Sequence, residues 1–175
     1  MAGVRDDQLS GPTPCADLSV AAVLYHLVTL TSAFRGAAER EGQGPGPYPD
    51  ATQLPDDWRE RLPRQLDALA AAWRAPTAWE GATRIGGITL PGATIAVVAL
   101  NEVLVHGWDV AAATGQDYEA DDVSAQVCLD FALDIAANAP EMRNAMYAPA
   151  VPVADDAPLL DRLIGQTGRD PRWTA

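Results

Sequence analysis

NEVLVHGWDV, residues 101–110, decides how this chain is read. It continues the apolar run ATIAVVAL (93–100) and leads into AAATG (111–115). The spacing predicts one long helix from about Ala93 to Thr114, stopped at Gly115. Such a helix is apolar nearly all round and belongs in the middle of its domain. Four of its residues break the rule: Asn101, Glu102, His106 and Asp109. Each helical residue turns about 100°, so Glu102 and His106 are about 40° apart around the axis and Asp109 is about 20° from Glu102 on the other side. The three share one stripe. A buried, unpaired carboxylate costs several kcal/mol or takes up a proton. A cation partner or a metal ion keeps it ionised at lower cost.

The chain has two histidines, and the second is His26. It sits on an earlier helix, at the edge of an apolar stripe, beside Ala22, Ala33 and Ala37. Small neighbours leave room next to an imidazole. Two facing helices would then offer His26, Glu102 and His106 to one ion. Two His and one carboxylate suit zinc with an open fourth position, and also iron or nickel. Inward-facing ligands on neighbouring helices are how bundles build metal sites. An ExxxH pair alone is also a common exposed i,i+4 contact worth a few tenths of a kcal/mol, and a lone helical His is usually a satisfied core or surface residue. Asp109 is placed to orient His106, with a helix-surface or capping role as the alternative, and Asn101 is a further candidate support. Gly107 costs about 1 kcal/mol relative to Ala inside a helix, which suggests a close neighbour or ligand. Trp108 reads as packing.

Working outward, GPTPC (11–15) closes a polar, turn-rich start, and Asp17 or Ser19 caps a helix running to about Glu39. EGQGPGPYPD (41–50) must be a loop. A helix from about Asp57 to Arg74 carries Leu62, Leu66, Leu69 and Trp73 on one face, with Pro63 set to kink it or delay its start. GATRIGGITLPG (81–92) reads as a hairpin around Gly86-Gly87. Beyond the long helix, another spans about Asp121 to Ala137 with Val123, Val127, Phe131 and Ile135 in line. The tail is Pro-rich to Pro158, then LLDRLIGQ forms a short helix before GRDPRW. The expectation is a single domain, residues 1–175, all-α with a small β-hairpin excursion.

Composition narrows the function. The 175 residues carry a formal charge of −12, and every one of the 12 basic residues is Arg. That argues against phosphate-backbone binding, so no nucleic-acid partner is expected. The longest clean apolar run is too short to span a bilayer, so no membrane partner is expected. No basic stretch followed by an apolar run opens the chain, so a cytoplasmic protein is expected. The two cysteines, Cys15 and Cys128, form no CxxC and are expected as thiols. Cys128 falls in an apolar helical pattern, whereas Cys15 sits in the turn after Pro14.

PTPCADLSVAAVLYHL (12–27), NEVLVHGWDVAAATGQ (101–116) and the closing GRDPRW resemble the mycothiol-dependent maleylpyruvate isomerase-like proteins of the DinB/YfiT-like metal-binding superfamily. The resemblance implies a four-helix bundle with a divalent metal, usually zinc, held by one early His and a late ExxxH pair. The matching positions are His26, Glu102 and His106. It implies a low-molecular-weight thiol, mycothiol, as cosubstrate and a small-molecule electrophile as its target, in a transferase or isomerase reaction. The alternative is a non-catalytic metal-binding bundle with a structural or sensor role. Three departures stand out. Only about a dozen residues precede the PTPC turn where the family has a full helix. Only some 60 residues follow the metal helix where the characterised isomerases carry a further domain, so maleylpyruvate isomerisation itself is not expected. Leu18 replaces the family's usual Trp. With the first helix short or missing, either the bundle is completed by the C-terminal segment or a partner chain, or the true start lies upstream, and an exposed groove would favour a homodimer.

Overall fold

The computed structural model describes residues 3–41 and 48–175. The centre of the loop expected over 41–50 lies outside the described residues. Helix α1 (Val20–Ala38) begins where Ser19 Oγ accepts a hydrogen bond from the Ala22 amide. Its Val, Leu and Phe side chains bury two faces, one against α2 (Trp58–Trp73) and one against α3 (Gly92–Thr114). Trp58 and Leu62 pack with Val20–Leu27, whereas Leu69 and Trp73 pack with Phe34 and Ala37, so α2 runs parallel to α1. Val110 and Ala113 join the first group and Ile95 and Ala99 the second, so α3 runs antiparallel to both. That antiparallel register brings the level of His26 to the level of Glu102 and His106.

Between α2 and α3 stand β1 (Ala82–Ile85) and β2 (Ile88–Pro91), paired antiparallel with Ile85 opposite Ile88. Gly86 and Gly87 have φ of +56° and +86°, the left-handed pair that a two-residue hairpin turn requires. Pro63 lies inside α2 and neither delays nor ends it. Helix α3 ends at Gly115, whose φ of +67° forms a left-handed cap.

Helix α4 (Asp122–Asn138) starts on Asp121, whose carboxylate accepts from the Ser124 amide. It buries the C-terminal half of the expected stripe, with Ile135 in the core and Phe131 packed beside it, but not the N-terminal half. Val123 is 74% exposed and Val127 37%, whereas Ala125, Cys128, Leu129, Ala132 and Ile135 are buried. The apolar residues of this helix span more than one stripe, and packing against α3 and the C-terminal segment selects the one through Ala125, Cys128, Leu129 and Ala132. A short helix α5 (Pro140–Met146) interrupts the tail that the Pro content had suggested was irregular. Pro140 opens it, a position where its missing N–H costs nothing.

Helix α6 (Leu159–Gln166) packs on α4, with Leu163 buried among Leu104, Cys128 and Leu129. Ahead of α1 the described residues hold only a single 3-10 turn, Asp6–Gln8. The C-terminal segment covers the side of α3 that carries Leu100 and Leu104. By length and composition α1 and α3 would each be able to cross a membrane, yet most of each is buried inside the fold, as expected for core helices.

Candidate metal centre

Helix α3 presents Glu102, His106 and Asp109 along one stripe, and α1 places His26 opposite. Oε2 of Glu102 lies 3.2 Å from Nε2 of His106 and 3.6 Å from Nε2 of His26. The two imidazole rings meet edge to face, with centroids 5.0 Å apart. All three potential ligand atoms lie within 4.8 Å of one another. Ligands about 2.0–2.1 Å from a tetrahedral ion stand about 3.4 Å apart, so this donor set suits a zinc-type ion with little movement. The His26 and Glu102 side chains remain 21% and 18% exposed, so the cluster is reached from solvent.

Behind the cluster the charges pair in sequence. Nδ1 of His106 lies 2.9 Å from Oδ2 of Asp109, whose side chain is fully buried. Arg169 Nε donates to Oδ1 of Asp109 at 2.9 Å, and Nη2 to Oδ2 at 2.8 Å. Burial works against ionising Asp109, but His106 and Arg169 outweigh it and hold its carboxyl below the usual range. Burial likewise opposes charge on His106, yet Asp109 and Glu102 push its pKa up to about 9. For Glu102 burial is the largest influence and favours the neutral form; the two imidazoles overcome it and hold the carboxyl well below the usual range. Burial alone would lower the pKa of Arg169, and Asp109 reverses this, so the guanidinium stays charged. Without a metal, His106 balances Glu102 and Arg169 balances Asp109.

The structure thus brings His26 of α1 to the stripe of Glu102, His106 and Asp109 on α3. It places Asn101 elsewhere. Asn101 accepts a hydrogen bond from the Tyr147 hydroxyl at 2.7 Å and ties α3 to the segment after α5. Its Nδ2 has no partner among the described residues. Gly107 admits Tyr118, since a Cβ there would lie 2.9 Å from the tyrosine hydroxyl, which donates to the Leu104 carbonyl.

Two residues at the site escaped sequence reasoning about chemistry. Arg169 was visible only as a letter in GRDPRW. The available signal was that a buried Asp109 needs a cation, and nothing local says which of 12 arginines supplies it. The other is Cys15. Thr13 donates its hydroxyl to the carbonyls of Cys15 and Leu18, and Asp17 adopts φ +67°, together folding the PTPCADLS turn. This sets Cys15 within 4.8 Å of a nitrogen of His106 and an oxygen of Asp109. Burial pushes its thiol up to about 11, with Arg169 opposing and Asp109 and Glu102 adding, so it stays protonated at neutral pH.

Residues 1–111 match the family described as the mycothiol maleylpyruvate isomerase N-terminal domain. The matched stretch holds the PTPC turn, His26, Glu102, His106 and Asp109, and stops short of Arg169. The chain is also similar to uncharacterized proteins from two strains of Mycobacterium tuberculosis, each 28% identical over 158 residues, which is 90% of this chain and 80% of the relative. No solved structure matches.

Proposed function

Because this chain belongs to the mycothiol maleylpyruvate isomerase N-terminal domain family, we propose that it binds a divalent metal ion, zinc in the first instance, and uses a low-molecular-weight thiol of the mycothiol class in a transferase or isomerase reaction. One observation carries the reading. Two imidazole nitrogens and a carboxylate oxygen converge at a solvent-reached point while a buried Asp109–Arg169 pair backs one of the imidazoles. His26, Glu102 and His106 would hold the ion. An ion bound there supplies positive charge that keeps a coordinated thiol deprotonated near neutral pH.

The chain's own residues do the rest. Asp109 accepts from Nδ1 of His106, which leaves the lone pair of Nε2 free to bind an ion. Charge also favours a thiolate. The charges of Glu102, His106, Asp109 and Arg169 sum to zero without metal, so a divalent ion held in place of the His106 proton would leave one positive charge over. A single bound anion restores neutrality. The electrophile would be a small molecule approaching over the exposed edges of His26 and Glu102. We read residues 1–175 as one cytoplasmic domain acting as a homodimer. The apolar groove of about 490 Å³ between α2 and α3, lined by Leu66, Trp73, Ala96, Leu100 and Val103, is the surface that supports self-association.

The test is metal content by mass spectrometry on protein purified without added metal, wild type beside His106→Ala. About one ion per chain in the wild type and its loss in the variant is the expected result. A folded wild type that takes up no divalent metal on reconstitution sinks the reading. A non-catalytic bundle would instead bind the ion in a closed site and leave thiol–electrophile mixtures unchanged.

A further inference from the structure

His106 belongs to two potential ligand sets. One is His26–Glu102–His106; the other is Cys15–His106–Asp109, whose donor atoms also lie within 4.8 Å of one another. A thiolate, an imidazole and a carboxylate are as good a zinc set as the first, and the sulfur would favour softer ions. What distinguishes them is Arg169. Its guanidinium is buried and takes both oxygens of Asp109, so a fixed positive charge already occupies the second set. That charge cannot be shed as a proton. Glu102, in contrast, is paired only with the two imidazoles among the described residues.

The fold, rather than a flexible side chain, sets Arg169 there. Its Nη1 donates to the Thr167 carbonyl at 2.9 Å. Gly168 turns the chain with φ +83°, and a Cβ on it would stand 2.6 Å from the Ala148 oxygen. The segment after α6 is thereby pressed against the chain after α5, with the guanidinium facing α3.

We propose that Arg169 is a positioning residue that selects between the two ligand sets: by holding both oxygens of Asp109 it reserves that carboxylate for Nδ1 of His106, directs a divalent ion to His26–Glu102–His106, and keeps the ion off Cys15. The inference rests on the metal reading above.

Cobalt(II) titration followed by absorption spectroscopy tests it on the full chain, using wild type, Cys15→Ser, Arg169→Lys, Arg169→Gln and the Arg169→Gln/Cys15→Ser double variant. Wild type should bind cobalt with visible ligand-field bands and no thiolate charge-transfer band in the near ultraviolet, and Cys15→Ser should match it. Arg169→Gln should bind about 10- to 100-fold more weakly at the original set and acquire a thiolate band that the double variant lacks. Arg169→Lys, which keeps the charge, should show no thiolate band. A folded Arg169→Gln with unchanged affinity and no thiolate band overturns the proposal. So does a thiolate band in wild type that vanishes in Cys15→Ser, a result that needs no Arg169 variant to fold. Wild type that binds no cobalt overturns both this inference and the metal reading; an unchanged Arg169→Gln leaves the metal reading standing, and a wild-type thiolate band leaves metal binding standing but moves it to a set that includes Cys15.

Discussion

Asp109 and His106, three residues apart on α3, meet through Oδ2 and Nδ1 at 2.9 Å with the carboxylate wholly buried. The contact orients a ring whose other nitrogen faces Glu102. Asp109→Asn keeps the shape and removes the charge. It leaves the buried guanidinium of Arg169 without a counter-ion, which should cost on the order of 3 kcal/mol. The expected outcome is a lower melting temperature in the metal-free protein and about 10-fold or more weaker zinc binding. Unchanged melting and zinc affinity would show that the pair does neither job.

The proton on His106 gives a pH signature. Its folded pKa is raised to about 9 from an ordinary value near 6.5. A raised value means stability that is fully present below about pH 6.5 and is lost as pH climbs toward 9. Glu102 is depressed, so its contribution is present above the ordinary carboxylate range and lost on acidification below about pH 4. Metal-free protein should therefore melt highest at mildly acidic pH. Zinc must displace the His106 proton, so affinity should rise from pH 6 to pH 9, and calorimetry at pH 7 in buffers of different ionisation enthalpy should report release of about one proton. An affinity flat across that range would rule the account out.

Gly107 is held open for Tyr118. Alanine is the better helix former by about 1 kcal/mol, so an unconstrained site would gain stability from Gly107→Ala. Here the new Cβ would press on the tyrosine ring and its bond to Leu104. The variant should instead be destabilised by roughly 1–3 kcal/mol, measurable by urea unfolding. A stabilised Gly107→Ala would mean that the ring moves aside freely.

Docking of α6 is tested by Leu163→Ala. Leu163 is fully buried against Leu104, Cys128 and Leu129. Truncation should cost about 2–5 kcal/mol if the C-terminal segment folds cooperatively with the bundle. A two-state transition with loss below about 0.5 kcal/mol would instead make the segment a loose appendage.

The letters of this chain determined whatever is local and periodic. The apolar run through α3, its stop at Gly115, the glycine pair of the hairpin and the Ser19 cap all act over a few residues, and each element appears where its pattern lay. The stripe of Glu102, His106 and Asp109 is likewise a consequence of helical pitch. Distant partners were another matter. Helix α4 offers apolar residues on more than one stripe, and only packing chose Leu129 and Cys128 over Val123 and Val127. Helix α5 is short enough that its stability comes from its neighbours, which the Pro-rich tail did not announce. His26 meets Glu102 because α1 and α3 run antiparallel at the right level, and Arg169 reaches Asp109 because the chain beyond α6 folds back over α3. Pairings between distant residues depend on which buried charge and which buried surface can satisfy each other at once, and that is decided only when the whole chain packs.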